Sequence, residues 1–188
     1  MVGERERCMY CCDSHATDIE HFWPKSAYPE RMFQWLNLLL CCTECGRFKG
    51  NRFPLIEGVA ALVDPTAEDP WQYLDFEPAL GLIVARFDPE TNAENSKGEE
   101  TVKLLQLDRR EALNAGYLKS WRRLTDIADK ALCNIPLDAE VLAGALADAD
   151  DHGLLGWCFV GTGRRIEPFA TLRANHPDIW RHCAAMFS

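Results

Sequence analysis

Two pairs of cysteines near the N-terminus have the spacing of metal ligands. Cys8 and Cys11 form one Cys-x-x-Cys pair, and Cys42 and Cys45 form the other. A turn of this length places two thiolates on one tetrahedral ion, and two such turns complete a four-sulfur zinc site. We therefore expect a structural Zn²⁺ that closes the segment between the pairs into a loop. Buried free thiols are the plain alternative, because unpaired cysteine is among the most buried residue types.

The choice of ligands carries one ambiguity, because Cys12 and Cys41 lie directly beside the inner members of the two pairs. Using them would give a three-residue spacer on both sides, and we prefer the two-residue spacer. The chain has nine cysteines in all. Their clustering in close pairs favours a metal site over a disulfide framework, which would distribute them more evenly.

A histidine beside a carboxylate lies between the two cysteine pairs. The segment reads Asp18-Ile19-Glu20-His21-Phe22-Trp23-Pro24-Lys25, and Asn37 follows before the second pair. A basic run follows the second pair and contains Arg47, Lys49 and Arg52. A single histidine beside a carboxylate is usually structural, but its combination with flanking cysteine pairs, an asparagine and a basic run is much more specific.

The order of these motifs resembles the HNH endonucleases and, more narrowly, the HNH proteins of the Septu phage-defence system and of some retrons. The motifs that carry the resemblance are Cys-x-x-Cys, Glu-His-Phe-x-Pro-Lys, Trp-x-Asn-Leu, Cys-x-x-Cys and Lys-Gly-x-Arg-Phe-Pro. It is strong over residues 8–54 and loose after residue 110. It implies a ββα-metal finger, in which two strands and a helix hold one divalent cation, and it implies a DNA substrate and an ATPase partner.

The resemblance also implies a role for each motif residue. His21 matches the general base that deprotonates the attacking water, which suits an imidazole near neutral pH. Glu20 matches the acidic ligand of a catalytic Mg²⁺ or Mn²⁺. Asn37 matches the asparagine that holds the loop and orients the histidine. The residues expected to contact phosphates are Lys25, Arg47, Lys49 and Arg52.

One position departs from the family pattern. The residue directly after the second cysteine pair is usually a histidine or asparagine that binds the cation, and here it is Gly46. The cation would then rest on Glu20, water and phosphate oxygens, with Asp18 or Asn51 as substitutes. The departure leaves three alternatives: a weak nuclease, a nuclease completed by a partner, or an inactive zinc module that acts through protein–protein binding. The residues do not distinguish a DNA from an RNA target.

Charge is distributed unevenly along the chain. The net charge is −9, although residues 1–53 hold seven Lys/Arg and seven Asp/Glu. Since phosphate contacts need basic side chains, the acidic remainder adds little affinity for nucleic acid. A partner, a bound metal or a restricted substrate would have to supply that affinity.

The sequence predicts that both strands and helices position these residues, so we expect an α+β fold. Residues 1–55 are expected to form the zinc-bound nuclease finger, and residues 56–188 a hairpin and a helical support that docks a partner. Within the finger we predict an extended segment over 18–23, a buried apolar segment over 35–40, and a helix that Thr43 caps and Gly50 ends. The second part is predicted to contain a hairpin over 73–87, and helices over 101–107, 108–131, 137–146, 168–173 and 177–186, the second starting in a capping box of Asp108 and Glu111.

No apolar run approaches the roughly 20 residues that a bilayer span requires. The N-terminal residues are charged and have no apolar stretch of the signal-peptide type. We therefore expect a cytoplasmic protein without a membrane partner.

Overall fold

The N-terminal part contains a hairpin followed by a helix. The structure, a computed structural model, describes residues 6–134 and 136–187. Strand β1 (Asp18–His21) pairs antiparallel with β2 (Leu38–Cys41), and Glu20 lies opposite Leu39. Helix α1 (Thr43–Lys49) follows and packs against β1.

Both ends of α1 have identifiable causes. The sulfur of Cys42 accepts the Cys45 backbone N–H at 3.4 Å, so the helix is capped by Cys42 rather than by Thr43 as predicted. Gly50 ends the helix with φ +50°, a conformation that side-chain-bearing residues rarely adopt. The predicted helix is thus confirmed, and its cap is moved by one residue. Cys42 therefore both caps α1 and belongs to the second cysteine pair, so the start of the helix is tied to that pair.

The long connection between β1 and β2 is anchored by aromatic packing. Phe22 is buried, and its ring centroid lies 5.3 Å from that of Phe53. Trp23 packs on Phe53 at 4.4 Å and on Tyr28 at 4.9 Å. The connection is therefore folded onto the segment that follows α1.

The prediction of a buried segment over 35–40 is wrong at its start. Trp35 and Leu36 are exposed, whereas Asn37 and Leu39 are buried. The connection makes two 3₁₀ turns, Pro29–Arg31 and Trp35–Asn37, and the second turns its apolar side chains toward solvent. Burial begins only where the chain enters β2.

Three further two-stranded ribbons occupy the middle of the chain. They are β3 (Leu55–Ile56) with β4 (Val59–Ala60), β5 (Leu74–Glu77) with β6 (Leu82–Ala85), and β7 (Phe87–Asp88) with β8 (Ala93–Glu94). The β5–β6 hairpin confirms the predicted one. Its turn requires Gly81, since φ is +74° and a Cβ would lie 2.4 Å from the Asn114 carbonyl oxygen.

The remainder is helical, as predicted, but the boundaries differ, and one helix, Leu154–Phe159, was not predicted. The helices are α2 (Ser96–Leu105), α3 (Glu111–Cys133), α4 (Ala139–Ala149), α5 (Leu154–Phe159), α6 (Phe169–Asn175) and α7 (Pro177–Phe187). The capping box predicted for α3 is wrong, because its N-cap is Arg110 and no side chain caps it. Apolar side chains at three- and four-residue spacing form the buried face of α3, namely Leu113, Tyr117, Trp121, Leu124 and Ala128.

Residues on both sides of the predicted boundary at 55 belong to one continuous core. The cluster of buried side chains runs from the cysteines near the N-terminus through β5 and β6 to Trp157 and Trp180. The helical part therefore buttresses the cysteine-rich part directly. Within residues 6–134 and 136–187, no helix combines the length and the apolar character needed to cross a membrane.

Candidate functional site

Four buried cysteines form a cluster whose size suits one metal ion. The ligand atoms of Cys8, Cys11, Cys42 and Cys45 all lie within 4.8 Å of one another, and the sulfurs of Cys11 and Cys42 are 3.9 Å apart. A tetrahedral site with Zn–S bonds of about 2.3 Å needs sulfur–sulfur separations of roughly 3.8 Å. These cysteines could hold a zinc ion, and they are the set that the two-residue spacing predicts.

The neighbouring cysteine Cys41 is buried and its thiol contacts that of Cys8, but it is not among the four whose ligand atoms all lie within 4.8 Å of one another. Its thiol donates to the Cys42 carbonyl at 3.2 Å. Cys12 is half-buried with φ +54°, beyond the turn formed by the first pair. The fold therefore brings together the cysteines with the two-residue spacer, and not the set with the three-residue spacer.

Close packing of the four thiols separates their acidities. Hydrogen bonds from Cys11 and Cys45 lower the pKa of Cys42. The contact with Cys42 raises the pKa of Cys11, and contacts with Cys11 and Cys42 raise the pKa of Cys45. Burial and mutual contact thus disfavour four thiolates side by side unless a cation compensates their charge. A divalent cation favours deprotonation of all four, because its charge stabilises each thiolate.

A buried arginine from the helical part adjoins the cysteine cluster. Nη1 of Arg110 lies 3.2 Å from Sγ of Cys45, and Nη2 forms an ion pair with Glu44. Burial alone would lower the pKa of Arg110, but the Cys45 thiolate outweighs burial and raises it. Four thiolates around Zn²⁺ carry two surplus negative charges, which this guanidinium partly offsets. Sequence analysis missed Arg110, because 65 positions separate it from Cys45 and no local pattern links them.

Glu20 projects from β1 toward α1 and meets a buried lysine there. Nζ of Lys49 lies 2.9 Å from Oε1 of Glu20 and 2.7 Å from the His21 carbonyl oxygen. The Lys49 side chain is fully buried. A direct phosphate contact by Lys49, which the resemblance implied, is therefore corrected: the ammonium faces inward and binds Glu20.

The glycine that departs from the family pattern faces the same carboxylate. A Cβ built on Gly46 would lie 3.8 Å from Oε2 of Glu20. The position after the second cysteine pair is therefore adjacent to Glu20, and it contributes no ligand atom.

Asp18 and Asn51, suggested as substitutes for the ligand missing at Gly46, are placed unfavourably for binding a cation beside Glu20. Asp18 lies at the start of β1, where its Oδ2 accepts from the Thr43 hydroxyl at 2.9 Å. Asn51 is exposed in the turn after α1. Over the described ranges 6–134 and 136–187, the four cysteines are the one grouping of three or more His, Cys, Asp or Glu close enough to share an ion. Within these ranges Glu20 therefore belongs to no group of three or more such residues that could share a second cation.

His21 is held by the backbone of the connection between the strands. Its Nε2 lies 3.0 Å from the Met32 carbonyl oxygen, and the side chain is half-buried. A carbonyl can only accept, so Nε2 donates this bond, and in the neutral ring Nδ1 keeps the lone pair. The ring nitrogen suited to accept a proton is therefore Nδ1.

Asn37 fixes the connection that carries Met32. Its Oδ1 accepts the Trp23 N–H at 2.7 Å, and its Nδ2 donates to the carbonyls of Trp23 at 3.2 Å and Arg31 at 3.0 Å. The buried amide thus joins both ends of the segment that follows His21. Through this segment Asn37 sets the position of the carbonyl that His21 contacts.

The other predicted phosphate-binding residues lie on the surface. Lys25, Arg47 and Arg52 are all exposed. Arg52 donates to the Phe48 carbonyl at the end of α1 and lines a groove together with Lys103 of α2. These side chains remain candidates for phosphate contacts.

A Ser–His–Asp chain of hydrogen bonds lies behind the first cysteine pair and was also missed. Nδ1 of His152 is 2.6 Å from the Ser120 hydroxyl, and Nε2 is 2.8 Å from Oδ1 of Asp13. Ser120 is sealed from solvent, which rules out a nucleophilic role in this conformation. The chain of bonds ties the first cysteine turn to α3, as does the Tyr117 hydroxyl, which donates to the Cys11 carbonyl at 2.7 Å.

These features define a cluster of four cysteines that could hold a metal ion, built on a hairpin and a helix and supported by a helical part. Over 141 residues the chain is 28% identical to the Septu protein PtuB of Bacillus thuringiensis. The aligned region covers 69% of this chain and 50% of that protein, so the chain spans about half the length of the curated relative it matches. The similarity supports a Septu-related family. No protein-family model matches the chain, and no solved structure matches it significantly.

Proposed function

We propose that this chain is a metal-dependent HNH endonuclease that cleaves DNA, acting as the nuclease subunit of a phage-defence system with an ATPase partner. The observation that carries the proposal is the placement of Glu20 and His21 on a hairpin joined to the four-cysteine cluster. Glu20 faces α1, and His21 has one nitrogen bound to a carbonyl and the other suited to accept a proton. The similarity to PtuB supports the defence setting.

In the proposed reaction His21 acts as the general base. Nδ1 accepts a proton from water as the water oxygen bonds to phosphorus and the bond to the 3′ oxygen breaks. Because Lys49 occupies Oε1 of Glu20, Oε2 is the oxygen available to a Mg²⁺ or Mn²⁺ ion. Such an ion would stabilise charge on the phosphorane and on the leaving oxygen. One carboxylate with water and phosphate oxygens is a ligand set that Mg²⁺ commonly accepts.

The charge distribution supports dependence on a partner. Exposed Lys25, Arg47 and Arg52 can contact phosphates, but the whole chain carries a net charge of −9. Since non-specific affinity for DNA depends on neutralising phosphates, an isolated chain of this charge should bind duplex weakly. The ATPase partner would deliver the DNA.

Nicking of supercoiled plasmid with Mg²⁺ or Mn²⁺, with and without the ATPase, tests this function. His21→Ala should lower the cleavage rate by about 10²- to 10⁴-fold, the usual contribution of a general base. His15→Ala is the matched control and should leave the rate unchanged, because that imidazole is exposed and lies 3.7 Å from Glu6. Equal cleavage by wild type and His21→Ala in every combination would refute the proposal.

A second candidate function is a zinc module that acts through protein contacts without catalysis. Gly46 at the ligand position and the Lys49 ammonium on Oε1 both favour it. It predicts one zinc per chain, no second cation, and full phage resistance in cells that carry His21→Ala. The endonuclease proposal predicts that resistance is lost with this variant.

A further inference from the structure

Two large aromatic side chains project into solvent beside His21. The exposed fractions are 85% for Phe33 and 76% for Trp35. Each of these rings could bury about 150–250 Å² on contact with another molecule. Both rings are therefore available to contact another molecule.

The backbone that displays these rings is well ordered by hydrogen bonds. The Met32 N–H donates to the Pro29 carbonyl at 3.2 Å, and the Gln34 N–H donates to the Arg31 carbonyl at 3.1 Å. The Asn37 N–H donates to the Gln34 carbonyl at 2.9 Å. The rings are thus presented on a braced surface, so binding to them would cost little ordering of the chain.

The same backbone contacts the candidate general base. The Met32 carbonyl that accepts from His21 immediately precedes Phe33. Trp35 follows Met32 by three residues, and three residues of extended chain span at most about 11 Å. Both rings therefore belong to the segment whose backbone contacts His21.

Local charge favours a polyanion as that occupant. Residues 22–52 contain five Lys/Arg and two Asp/Glu, within a chain of net charge −9, and because Lys49 is buried against Glu20, four of these basic side chains remain accessible. Exposed Lys25 and Arg47 belong to this stretch. A partner protein could also use exposed aromatics, but proximity to His21 and the locally basic character suit the bases and phosphates of a nucleic acid better.

We propose that Phe33 and Trp35 form a stacking platform for unpaired bases, so that the substrate is single-stranded or locally unpaired at the cleavage site. This inference rests on the proposed function, since it concerns nucleic acid held beside His21. Stacking provides affinity that does not depend on Lys and Arg, and every base has a face that can stack. Stacking therefore supplies affinity for nucleic acid that a chain with a net negative charge does not gain from phosphate contacts. A paired duplex hides its base faces and cannot use the platform.

Binding measured without cleavage tests the platform. Fluorescence anisotropy on a His21→Ala background, without added Mg²⁺ or Mn²⁺, should compare a labelled single strand, a duplex and an abasic strand of equal length, in DNA and RNA versions. The single strand should bind at least about 10-fold tighter than the abasic strand. Phe33→Ala and Trp35→Ala should each weaken it by about 5- to 100-fold, the usual value of one stacked base. Phe87→Ala changes another exposed phenylalanine, which lies on β7 and is 53% exposed, and as the control it should have no effect.

Each result has a distinct meaning. Equal binding of abasic and ordinary strands, or unchanged binding by Phe33→Ala and Trp35→Ala, overturns the platform even if His21-dependent cleavage is observed. Loss of ATPase co-purification in these variants with unchanged oligonucleotide binding also overturns it and assigns the rings to the protein partner. Stacking-dependent binding in a chain that never cleaves supports the platform and refutes only the endonuclease proposal.

Discussion

Nζ of Lys49 lies 2.9 Å from Oε1 of Glu20 and 2.7 Å from the backbone oxygen of His21. One buried ammonium thus holds both residues of the candidate catalytic pair, the first through its carboxylate and the second through its backbone. A cation that looks like a surface phosphate ligand in the sequence is instead an internal brace between α1 and β1.

Removing this ammonium should destabilise the protein. Lys49→Met keeps most of the side-chain volume but leaves a partly buried carboxylate and a backbone oxygen without their partner. We expect the free energy of unfolding to fall by about 2–4 kcal/mol, somewhat below the loss typical of a fully buried pair. Urea denaturation provides the measurement. Lys103→Met is the control, since that lysine is exposed and should change stability by less than about 0.5 kcal/mol. An unaltered midpoint for Lys49→Met would contradict the brace.

Gly46 permits a test of the missing ligand. Its φ is not in the left-handed region, and an added Cβ would lie 3.8 Å from the nearest atom, an ordinary contact. Gly46→Ala should therefore stabilise α1 by roughly 0.5–1 kcal/mol. Differential scanning calorimetry should show a melting temperature higher by a few degrees, and a lower one would reveal a clash that this geometry excludes.

Gly46→Asn should go further, because it brings an amide oxygen toward Oε2 of Glu20. With Gly46→Ala as its control, we expect Mn²⁺-dependent plasmid cleavage to increase about 10-fold or more, the scale on which metal-site partners act. Identical rates for the asparagine and alanine variants would mean that no cation binds between Glu20 and this position.

The cysteine cluster predicts a specific pattern of zinc loss. Wild type and Cys12→Ser should each contain one zinc per chain by mass spectrometry of the metal, whereas Cys42→Ser should lose it and unfold more readily. Retention should weaken in acid, because protons compete for the thiolates. Zinc lost from Cys12→Ser and kept by Cys42→Ser would indicate the three-residue register.

Arg110 should strengthen zinc binding without touching the ion. Arg110→Met removes the guanidinium that lies 3.2 Å from the sulfur of Cys45, and zinc affinity should fall by about 10- to 100-fold. The rate of zinc transfer to a coloured chelator gives the readout. Arg109→Met changes the exposed neighbouring arginine and should transfer zinc as slowly as wild type. Similar rates of zinc transfer from both variants would show that Arg110 does not contribute to zinc binding.

Glu68 predicts the pH dependence of stability outside the site. Burial alone would raise the pKa of Glu68, but hydrogen bonds from the Asp64 N–H, Lys97 and Tyr73 outweigh it and hold the pKa below its ordinary value of 4.5. The stabilisation is therefore complete above that value and is lost as pH falls through the lower folded-state pKa. The difference in unfolding free energy between wild type and Glu68→Gln should shrink over this acid range.

A matched variant separates this effect from general acid sensitivity. Glu99→Gln changes an exposed carboxylate on α2, and its difference from wild type should stay small at every pH. A gap between wild type and Glu68→Gln that stays constant down to pH 3 would show that the carboxylate contacts do not depend on charge.

Local spacing made much of the site predictable. Two-residue spacers in the cysteine pairs place sulfurs together whatever the rest of the chain does, and the cluster contains the predicted members. The β5–β6 hairpin and the apolar stripe of α3 follow from alternation and helical periodicity over a few residues. The ends of elements were less predictable, as the Cys42 cap and the absent capping box at Asp108 show.

The sequence by itself determined which residues are candidates for chemistry: the thiols, the Glu20–His21 pair and the glycine where a ligand is expected. Only the tertiary structure decided which way each of them faces. Lys49 and Trp35 could each have been inside or outside, and packing buried the cation and exposed the aromatic ring. Arg110 and Asp13 acquire their partners across 65 and 139 positions of chain. Contacts over such separations depend on how whole elements pack, and no short-range pattern of residues encodes that packing.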